Sequence, residues 1–317
     1  MMVDRGGSST AMHHYRVVRL DEMTFAASPE LAAMYKLSPF VWREGATFHL
    51  LLRVVNVDDD ASKKVARIHH GTSTDGLKFR LEEKPVIAPD ADEPGSHDSG
   101  GCEDPTVARV DGTYYVYYSG WNQNEMRGQL LLASGPDLHH LEKRGIALAS
   151  NDRTQNPKEA TIVQADDGTW CLFFEFADED KSKIGVASAP RVEGPWKVRD
   201  PLFGVREGTW DAWHLSTGPI LRVNGQNPVM FYNGATQNAH WRIGWTAFDP
   251  AYTAVVARTE NPLVLPHIKR QKDDTDIAFA ASALEIDGAI HLYYSIADQY
   301  CMRAVVQTGS PLESTNT

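Results

Sequence analysis

The chain has 317 residues, with 31 Lys and Arg against 42 Asp and Glu and a formal net charge of −11 at pH 7. A composition of 42% hydrophobic, 9% aromatic and 23% charged residues is typical of a globular protein and excludes disordered and fibrous classes. The acidic balance argues against a nucleic-acid partner, which requires a basic face. The longest apolar run, Ile277 to Ala281, is far shorter than the roughly 20 residues of a membrane span, so no membrane partner is expected.

The N-terminal residues, MMVDRGGSSTAMHHY, lack the apolar centre of a signal peptide, and we therefore expect a cytoplasmic location. Three widely spaced cysteines, Cys102, Cys171 and Cys301, form neither a disulfide framework nor a CxxC metal motif. We expect them to be small buried hydrophobic residues in a reducing compartment.

The first predicted element is a short helix over residues 28–35, SPELAAMY, with Ser28 as its N-cap. Residues 1–30 are interpreted as an N-terminal extension. Beyond the helix, helical periodicity is weak and β-rich runs dominate the chain.

Five segments repeat one pattern: a polar start, a β-rich run, a turn with glycine and a second β-rich run. Asp-Gly or Asn-Gly turns suit tight hairpins, and they recur about every 60 residues, the length of a four-stranded propeller blade. A two-sheet sandwich does not require such even repeats. The sequence therefore predicts an all-β fold in which residues 1–317 form a single-domain, five-bladed β-propeller. The turn glycines are Gly45, Gly112, Gly168, Gly225 and Gly288.

In a propeller, the start of each blade's first strand and the end of its second strand face one mouth of the central channel. These positions are unusually polar here, and because buried unpaired charge is costly, they indicate a site rather than a filled core. The starts are Ser38, Glu103, Asp104, Lys158, Glu159, Ser216, Thr217, Asp274, Thr275 and Asp276, and the ends are Arg53, Trp121, Glu175, Asn233 and Asp298.

Carboxyl groups at such a mouth suit the cleavage of a glycosidic bond, in which one carboxyl protonates the leaving oxygen and another activates water or acts as nucleophile. The candidate catalytic residues are Asp104, Glu175 and Asp211. Trp121, Trp213 and Trp241 are candidates for stacking on sugar rings. The secondary carboxyl candidates are Glu103, Glu159, Asp274, Asp276 and Asp298.

The segment GCEDPTVARVDGTYYVYYSGW resembles the central motif of glycoside hydrolase family 130, the β-mannoside phosphorylases and mannosidases. The resemblance covers most of the chain, because SPFVWREGATFHLLLRV, NPKEATIV, WDAWHLSTGPIL and IHLYYSIADQYCMRAVV occur in the family's order. It implies that Asp104 is the general acid and that Arg53, Lys158, His214 and Tyr232 hold inorganic phosphate in a phosphorylase. The predicted substrate-binding residues are Arg53, Glu103, Trp121, Lys158, His214, Tyr232, Asn233, Asp274 and Asp298.

Two positions depart from the phosphorylase pattern. Thr106 stands where the family has an arginine after Glu-Asp-Pro, and Glu175 stands where phosphorylases have a His-Arg pair. A carboxylate in place of an anion clamp disfavours phosphate through like charge. The sequence therefore favours an inverting β-mannosidase acting on short manno-oligosaccharides. Glu175 and Asp211 are its preferred catalytic pair, and Asp104 is either catalytic or holds a sugar hydroxyl.

Three alternatives stay open: a phosphorylase that releases mannose 1-phosphate with inorganic phosphate as co-substrate, a non-catalytic sugar-binding propeller, and an arabinan or fructan hydrolase of a neighbouring propeller family. No cofactor and no metal are predicted, because glycoside transfer is acid/base chemistry. The neighbouring histidines of His69–His70 and of His139–His140 point to opposite faces of a strand, so neither pair predicts a metal site. A short oligosaccharide is the expected partner, and a homo-oligomer is left open.

Overall fold

The computed structural model describes residues 14–90, 96–223, 226–266 and 275–309. The all-β prediction is confirmed, since strands dominate these residues and their α-helix, α1 (Pro29–Ala33), is a single short turn. A 3-10 turn covers Ala61–Lys63. None of the helices among the described residues is long and apolar enough to cross a membrane. In chain order the strands are β1 (His14–Glu22), β2 (Thr24–Ala26), β3 (Tyr35–Glu44), β4 (Thr47–Val55), β5 (Ala66–Ser73), β6 (Lys78–Ile87), β7 (Gly101–Val110), β8 (Thr113–Asn122), β9 (Arg127–Gly135), β10 (Glu142–Leu148), β11 (Gln155–Gln164), β12 (Trp170–Asp178), β13 (Lys181–Ala189), β14 (Lys197–Arg199), β15 (His214–Ser216), β16 (Ile220–Leu221), β17 (Val229–Met230), β18 (Asn233–Ala235), β19 (Trp241–Ile243), β20 (Thr246–Phe248), β21 (Val255–Arg258), β22 (Ala278–Ile286), β23 (Ala289–Ile296) and β24 (Tyr300–Gly309).

The strands form five antiparallel groups, here called sheets I to V. Sheet I contains β3 to β6, sheet II β7 to β10 and sheet III β11 to β14, each in sequential order. Sheet V contains β22, β23 and β24 with β1 as its outer strand. One parallel bridge, between Ala66 and Gly101, links sheets I and II, and β2 pairs with β6.

Sheet IV is divided into two short ladders, one of β15, β18 and β19 and the other of β16, β17, β20 and β21. Pro219 lies between β15 and β16 and has no N–H to donate, so an unbroken ladder cannot pass through it. Its carbonyl still accepts a hydrogen bond from the N–H of Phe231 at 2.9 Å, which holds the two ladders in line.

Five buried hydrophobic clusters lie between successive sheets, and the last joins sheet V back to sheet I. Aromatic residues on the second strands contribute most of the bulk, as the alternation of strand side chains allows. The sheets therefore follow one another in cyclic order. Pairs that mark the five clusters are Leu51 with Val116, Tyr117 with Phe174, Phe173 with Phe248, Val229 with Leu292, and Tyr293 with Leu52.

The predicted hairpin turns occur where the sequence places them. Four turn glycines adopt the left-handed conformation that glycine tolerates best, with φ of 59°, 80°, 85° and 76° at Gly45, Gly112, Gly168 and Gly288. The fifth, Gly225, lies outside the described residues. The three cysteines are free and buried, as expected.

The predicted helix is confirmed in a shorter form. The side chain of Ser28 caps it by accepting a hydrogen bond from the Leu31 N–H, and it ends at Met34, whose backbone is extended. The N-terminal extension predicted for residues 1–30 contains the first two residues of this helix, Pro29 and Glu30, and also β1, which pairs with β24 along its length. Residues 14–22 are therefore part of sheet V rather than an appendage to it.

The first strands of sheets I, II and III each contain a shift of register against their second strands. A residue with left-handed backbone sits at each shift: Ser38, Asp104 and Glu159, with φ of 48°, 48° and 52°. Such bulges re-aim side chains and are frequent beside active sites. They direct three polar side chains from three sheets toward one another.

Candidate active site

Asp104 lies at the centre of the convergent polar groups and is only 5% exposed. The Ser38 hydroxyl donates to its Oδ1 at 2.6 Å, and Arg53 Nη1 donates to the same oxygen at 3.1 Å. Arg53 Nη2 also pairs with Glu103 Oε1 at 2.7 Å. Burial alone would raise the pKa of Asp104, but the Arg53 charge and the Ser38 hydrogen bond outweigh it and lower that pKa. Asp104 is therefore ionised at neutral pH.

The pKa of Glu159 shifts in the opposite direction. Burial and then the negative charges of Asp104 and Glu175 raise the pKa of Glu159 well above its ordinary value. The two side chains share a hydrogen bond that favours the ionised form of Asp104, so Glu159 is the donor. The backbone of Glu159 is held by Thr217, whose hydroxyl donates to its carbonyl at 2.5 Å. The pKa values of the two carboxyl groups are therefore pushed apart, and Glu159 keeps its proton to higher pH than Asp104 does.

Lys158 and Glu175 occupy facing positions on β11 and β12, with Nζ 3.3 Å from Oε1. Glu175 is buried, while the Lys158 side chain is 46% exposed at the mouth of the site. The negative charge of Glu175 raises the pKa of Lys158, and Glu159, Asp104 and Glu103 add to the effect. Lys158 therefore stays charged and belongs to the same electrostatic centre as the Asp104–Glu159 pair.

His214 lies beside this centre, and the Glu175 and Lys158 charges both act on it. Its Nδ1 accepts a hydrogen bond from the Ser182 N–H at 3.0 Å, which leaves the ring proton on Nε2. Burial lowers the pKa of His214, so the ring is neutral near pH 7. Trp241 stacks on it with 5.6 Å between ring centroids.

Two further predicted residues lie at the rim. Asp298 follows β23, and its side chain reaches solvent. The surrounding protein raises the pKa of Asp298 by desolvation. The negative charge of Asp104 adds to this rise, whereas the positive charges of Arg53 and Lys158 oppose it. Trp121 lies at the end of β8, where its indole N–H donates to Gln123 at 3.2 Å. Trp213 carries the Lys181 ammonium 4.2 Å above its ring. Asp274 lies outside the described residues.

The structure does not support Asp211 as a catalytic residue. It is fully buried between sheets III and IV, where its oxygens accept from Arg206, Arg258, Thr209 and Tyr232 at 2.5 to 3.2 Å. Burial alone would raise the pKa of Asp211, but the hydrogen bonds from Arg206, Thr209 and Tyr232 lower it. With every oxygen occupied inside the protein, it forms a structural ion cluster, and the expected Glu175–Asp211 pair is wrong.

Two expected substrate ligands are also structural. Tyr232 is fully buried and donates its hydroxyl to Asp211 at 2.6 Å, so it faces neither a sugar nor a phosphate. Asn233 is fully buried and joins sheets IV and V, because its amide donates to the Thr217 carbonyl and accepts from the Ala280 N–H. The sequence predicted Asn233 at the end of a second strand, but it is the first residue of β18, and the burial of both residues was not predicted.

Two contributors to the centre stand outside the predicted catalytic and binding sets. Glu159 was only a secondary carboxyl candidate, and Ser38 only a polar strand start. The signal for both was present, because each opens a repeat at the same place as Asp104. What the sequence does not reveal is the bulge that turns these side chains toward Asp104.

A family model described as beta-1,4-mannooligosaccharide phosphorylase, of glycoside hydrolase family 130, matches residues 38–309. The chain belongs to glycoside hydrolase family 130. The resemblance seen in the sequence is thereby confirmed, and the protein is an enzyme of the glycosidase and glycoside phosphorylase class. The matched segment includes Ser38, Arg53, Asp104, Glu159 and Glu175.

Relatives in family 130 agree with this assignment. The chain is 24% identical over 274 residues to a 1,2-beta-oligomannan phosphorylase of Thermoanaerobacter sp. (strain X514), covering 83% of this chain and 87% of the relative. It is 25% identical over 234 residues to a beta-1,2-mannobiose phosphorylase of Listeria innocua, and the match covers 71% of this chain and 62% of the relative. These names favour the phosphorylase alternative over the hydrolysis that the sequence predicted.

Solved structures of the family share the fold. The complex of the Listeria innocua beta-1,2-mannobiose phosphorylase with beta-1,2-mannobiose has a TM-score of 0.74 at 19% identity, covering 90% of this chain and 96% of that one. A second structure has a TM-score of 0.73 at 22% identity, and the match covers 86% of this chain and 84% of that one. It is described as showing that this family of mannoside phosphorylases contains glycoside hydrolases that target beta-1,2 mannosidic linkages in Candida mannan.

Proposed function

We propose that this enzyme cleaves β-1,2-mannosidic linkages in short manno-oligosaccharides and transfers the mannosyl group to inorganic phosphate. The feature that supports the acid chemistry is the Asp104–Glu159 pair, whose pKa values are pushed apart beside the partly exposed ammonium group of Lys158. Carboxyl groups whose pKa values are pushed apart are the usual mark of an acid and its ionised partner. The phosphorylase names of the relatives support phosphate as the acceptor.

In this reaction the bond between the anomeric carbon and the leaving oxygen breaks while a phosphate oxygen bonds to the same carbon. The Asp104–Glu159 pair gives its proton to the leaving oxygen, which departs as the hydroxyl of the shortened oligosaccharide. Hydrogen phosphate brings a proton that restores the pair once mannose 1-phosphate has formed. Lys158 and the neutral His214 line the side of the centre where the phosphate would bind, and no cofactor is needed for these steps.

Hydrolysis is the second candidate, and the charge of the centre favours it. Carboxyl groups outnumber cations, since Glu103, Glu175 and Asp298 accompany the Asp104–Glu159 pair, whereas Arg53 and Lys158 supply the positive charge. Glu175 already pairs with Lys158, so a phosphate would have to compete with a buried carboxylate. Water would then replace phosphate, and free mannose would replace mannose 1-phosphate as product.

Turnover of β-1,2-mannobiose and β-1,2-mannotriose with and without inorganic phosphate distinguishes the candidates. We expect mannose 1-phosphate, detected by anion-exchange chromatography, and no turnover without phosphate. Free mannose at equal rates in both conditions would establish hydrolysis instead. Cleavage of neither substrate, nor of other β-mannosides, would contradict both and leave a sugar-binding protein.

The Lys158 ammonium gives a variant test of the acceptor. Lys158→Gln should raise the KM for phosphate by about tenfold or more, because a charge-assisted contact is lost. Lys181→Gln is the matched control, since this lysine sits over Trp213 rather than beside Glu175. An unchanged phosphate KM in Lys158→Gln would contradict a phosphate site at this position.

We also propose that the five sheets are the blades of a five-bladed β-propeller, as the sequence predicted. The cyclic order of the hydrophobic clusters supports this arrangement, and so does the convergence of first-strand residues from sheets I to III on one centre. The catalytic centre would then lie at one mouth of the central channel. A cytoplasmic location stays a proposal, supported by three buried free thiols, which are typical of a reducing compartment.

A further inference from the structure

A second cluster of titratable groups lies on strands other than those that carry the Asp104–Glu159 pair. His70 is on β5, Glu82 is on β6, and His139 is in the turn between β9 and β10. His70 Nδ1 lies 2.8 Å from Glu82 Oε1, and His139 Nδ1 lies 3.6 Å from Glu82 Oε2. One donor atom from each residue lies within 4.8 Å of the others. The proposed function uses none of these three residues.

Two imidazoles and a carboxylate form a common ligand set for zinc, with the fourth position left to water. Zinc–nitrogen and zinc–oxygen bonds of about 2.0 to 2.2 Å place tetrahedral ligand atoms about 3.3 Å apart. The separations of 2.8 and 3.6 Å are to different oxygens of Glu82, so the side chains must adjust to bring all three ligand atoms onto one ion. His139 is 58% exposed and Glu82 is 38% exposed, which leaves the site accessible from solvent.

The ring of His70 is already oriented for coordination through Nδ1. Its Nε2 lies 3.1 Å from Nδ1 of His49, so the second nitrogen has a hydrogen-bond partner of its own. His49 is held in turn by stacking on Trp42, with 5.3 Å between ring centroids and 21° between planes. Metal-binding histidines usually have such a partner on the nitrogen that does not face the metal.

We propose that His70, Glu82 and His139 form a binding site for a divalent transition metal, with zinc as the best match. Imidazole and carboxylate donors favour zinc and its neighbours over magnesium or calcium, which prefer oxygen ligands alone. This site was not predicted from the sequence, because neighbouring histidines on a strand point to opposite faces. Here one histidine comes from each of the two pairs, and His69 and His140 do not take part.

Such a site links sheet I to sheet II. His70 and Glu82 belong to sheet I, whereas His139 belongs to the β9–β10 turn of sheet II. Bound metal would therefore hold the two sheets together and stabilise the folded chain over the unfolded one. This role is separate from sugar cleavage and does not depend on the proposed function.

The test uses the full chain without an affinity tag, first treated with chelator and then dialysed against micromolar zinc. We expect one zinc per chain by elemental analysis, and a rise in Tm of roughly 5 °C at saturating zinc. His139→Ala and Glu82→Gln should each weaken zinc binding by about tenfold or more and remove the rise in Tm.

His140→Ala is the matched control, because this neighbouring exposed histidine pairs with Asp137 instead. It should bind zinc as the wild type does. Failure of the wild-type chain to retain stoichiometric zinc would overturn the proposal. Equal zinc binding by wild type and His139→Ala would also overturn it, since the metal would then lie elsewhere.

Discussion

The pKa values of Asp104 and Glu159 shift in opposite directions because of the groups around them, not because of their chemical type. Arg53 and Ser38 donate hydrogen bonds to Asp104 and lower its pKa. The pKa of Glu159 is raised by burial and by the negative charges of two neighbouring carboxyl groups. Glu159 therefore keeps its proton to higher pH than Asp104 does, at a place where a leaving oxygen could receive it. As pH rises through the elevated pKa of Glu159, the pair loses that proton and the acid function is lost.

Glu159→Gln keeps a hydrogen-bond donor to Asp104 but cannot release a proton. The remaining acid is Asp104, whose pKa is lowered, so the alkaline limb of the kcat/KM–pH profile should move to lower pH. At pH 7 we expect kcat/KM to fall by about 100-fold or more. Steady-state rates between pH 4 and about 9 measure both effects.

Glu125→Gln serves as the control for this variant, because Glu125 is exposed in the turn between β8 and β9. Its pH profile should match that of the wild type. A wild-type profile for Glu159→Gln as well would assign the proton to Asp104 alone and contradict the shared pair.

The residues of the centre were largely predictable, and the exceptions have a physical cause. Arg53, Asp104, Lys158 and Glu175 were all found from their places in the repeat. Asp211 was misassigned because its partners are spread along the chain: Arg258 lies 47 residues away on β21 and meets Asp211 only when the loop between β14 and β15 packs on that strand. Local sequence shows a carboxyl group but not the cations that fold onto it.

At the scale of elements, the hairpins were predictable because alternation and Asx-Gly turns are local signals. The bulges were not, since a register shift depends on how two strands pair rather than on either strand alone. The division of sheet IV has the same origin, because the effect of Pro219 depends on which ladder it interrupts. The short helix was predictable in its start at Ser28 but not in its end.

The C-terminal end of α1 depends on a lysine that lies beyond the helix. Lys36 on β3 is 8% exposed, and its Nζ donates to the carbonyls of Leu31, Ala32 and Met34 at 2.8, 3.1 and 2.7 Å. The last carbonyls of a helix have no partner within it, and a cation there also favours the helix dipole. Lys36 therefore fastens α1 to the first strand of sheet I.

We expect Lys36→Met to lower the free energy of unfolding by about 2 kcal/mol, because three carbonyl groups lose their donor while the aliphatic volume is kept. Urea unfolding followed by tryptophan fluorescence measures the change. Lys63→Met, at an exposed lysine, should change it by less than about 0.5 kcal/mol. Equal stability of the two variants would show that the contacts of Lys36 contribute nothing.

At the scale of the whole molecule, the five clusters follow one another in a closed order, and β1 completes the sheet that closes it. The ring of Tyr15 on β1 packs edge-on against the rings of Phe231 and Trp245. The distances between ring centroids are 5.6 Å to Phe231 and 5.1 Å to Trp245. A residue from the first strand thus fills the boundary between sheets IV and V. The sequence could not show this, because that contact joins positions more than two hundred residues apart.

Tyr15→Ala should lower the stability of the whole chain by about 2 kcal/mol, since a large, partly buried aromatic ring is removed at a boundary between sheets. A fall in Tm of several degrees in a single cooperative transition is the expected result in differential scanning calorimetry. Val18→Ala on the same strand is the control, because Val18 is 42% exposed. A separate low-temperature transition for Tyr15→Ala would instead indicate that sheet V melts on its own.

The pairing of His14 with Gly309 has a topological consequence. The two ends of the described chain run side by side in one ladder, so a short peptide could connect them without disturbing a strand. New termini could then be opened at the exposed hairpin tip of Asp111 and Gly112, far along the chain from both old ones. A circular permutant built in this way would retain all five sheets and the convergent carboxyl pair. In it, β24 and β1 would be joined covalently as a hairpin, whereas in the present chain they are paired without a direct connection.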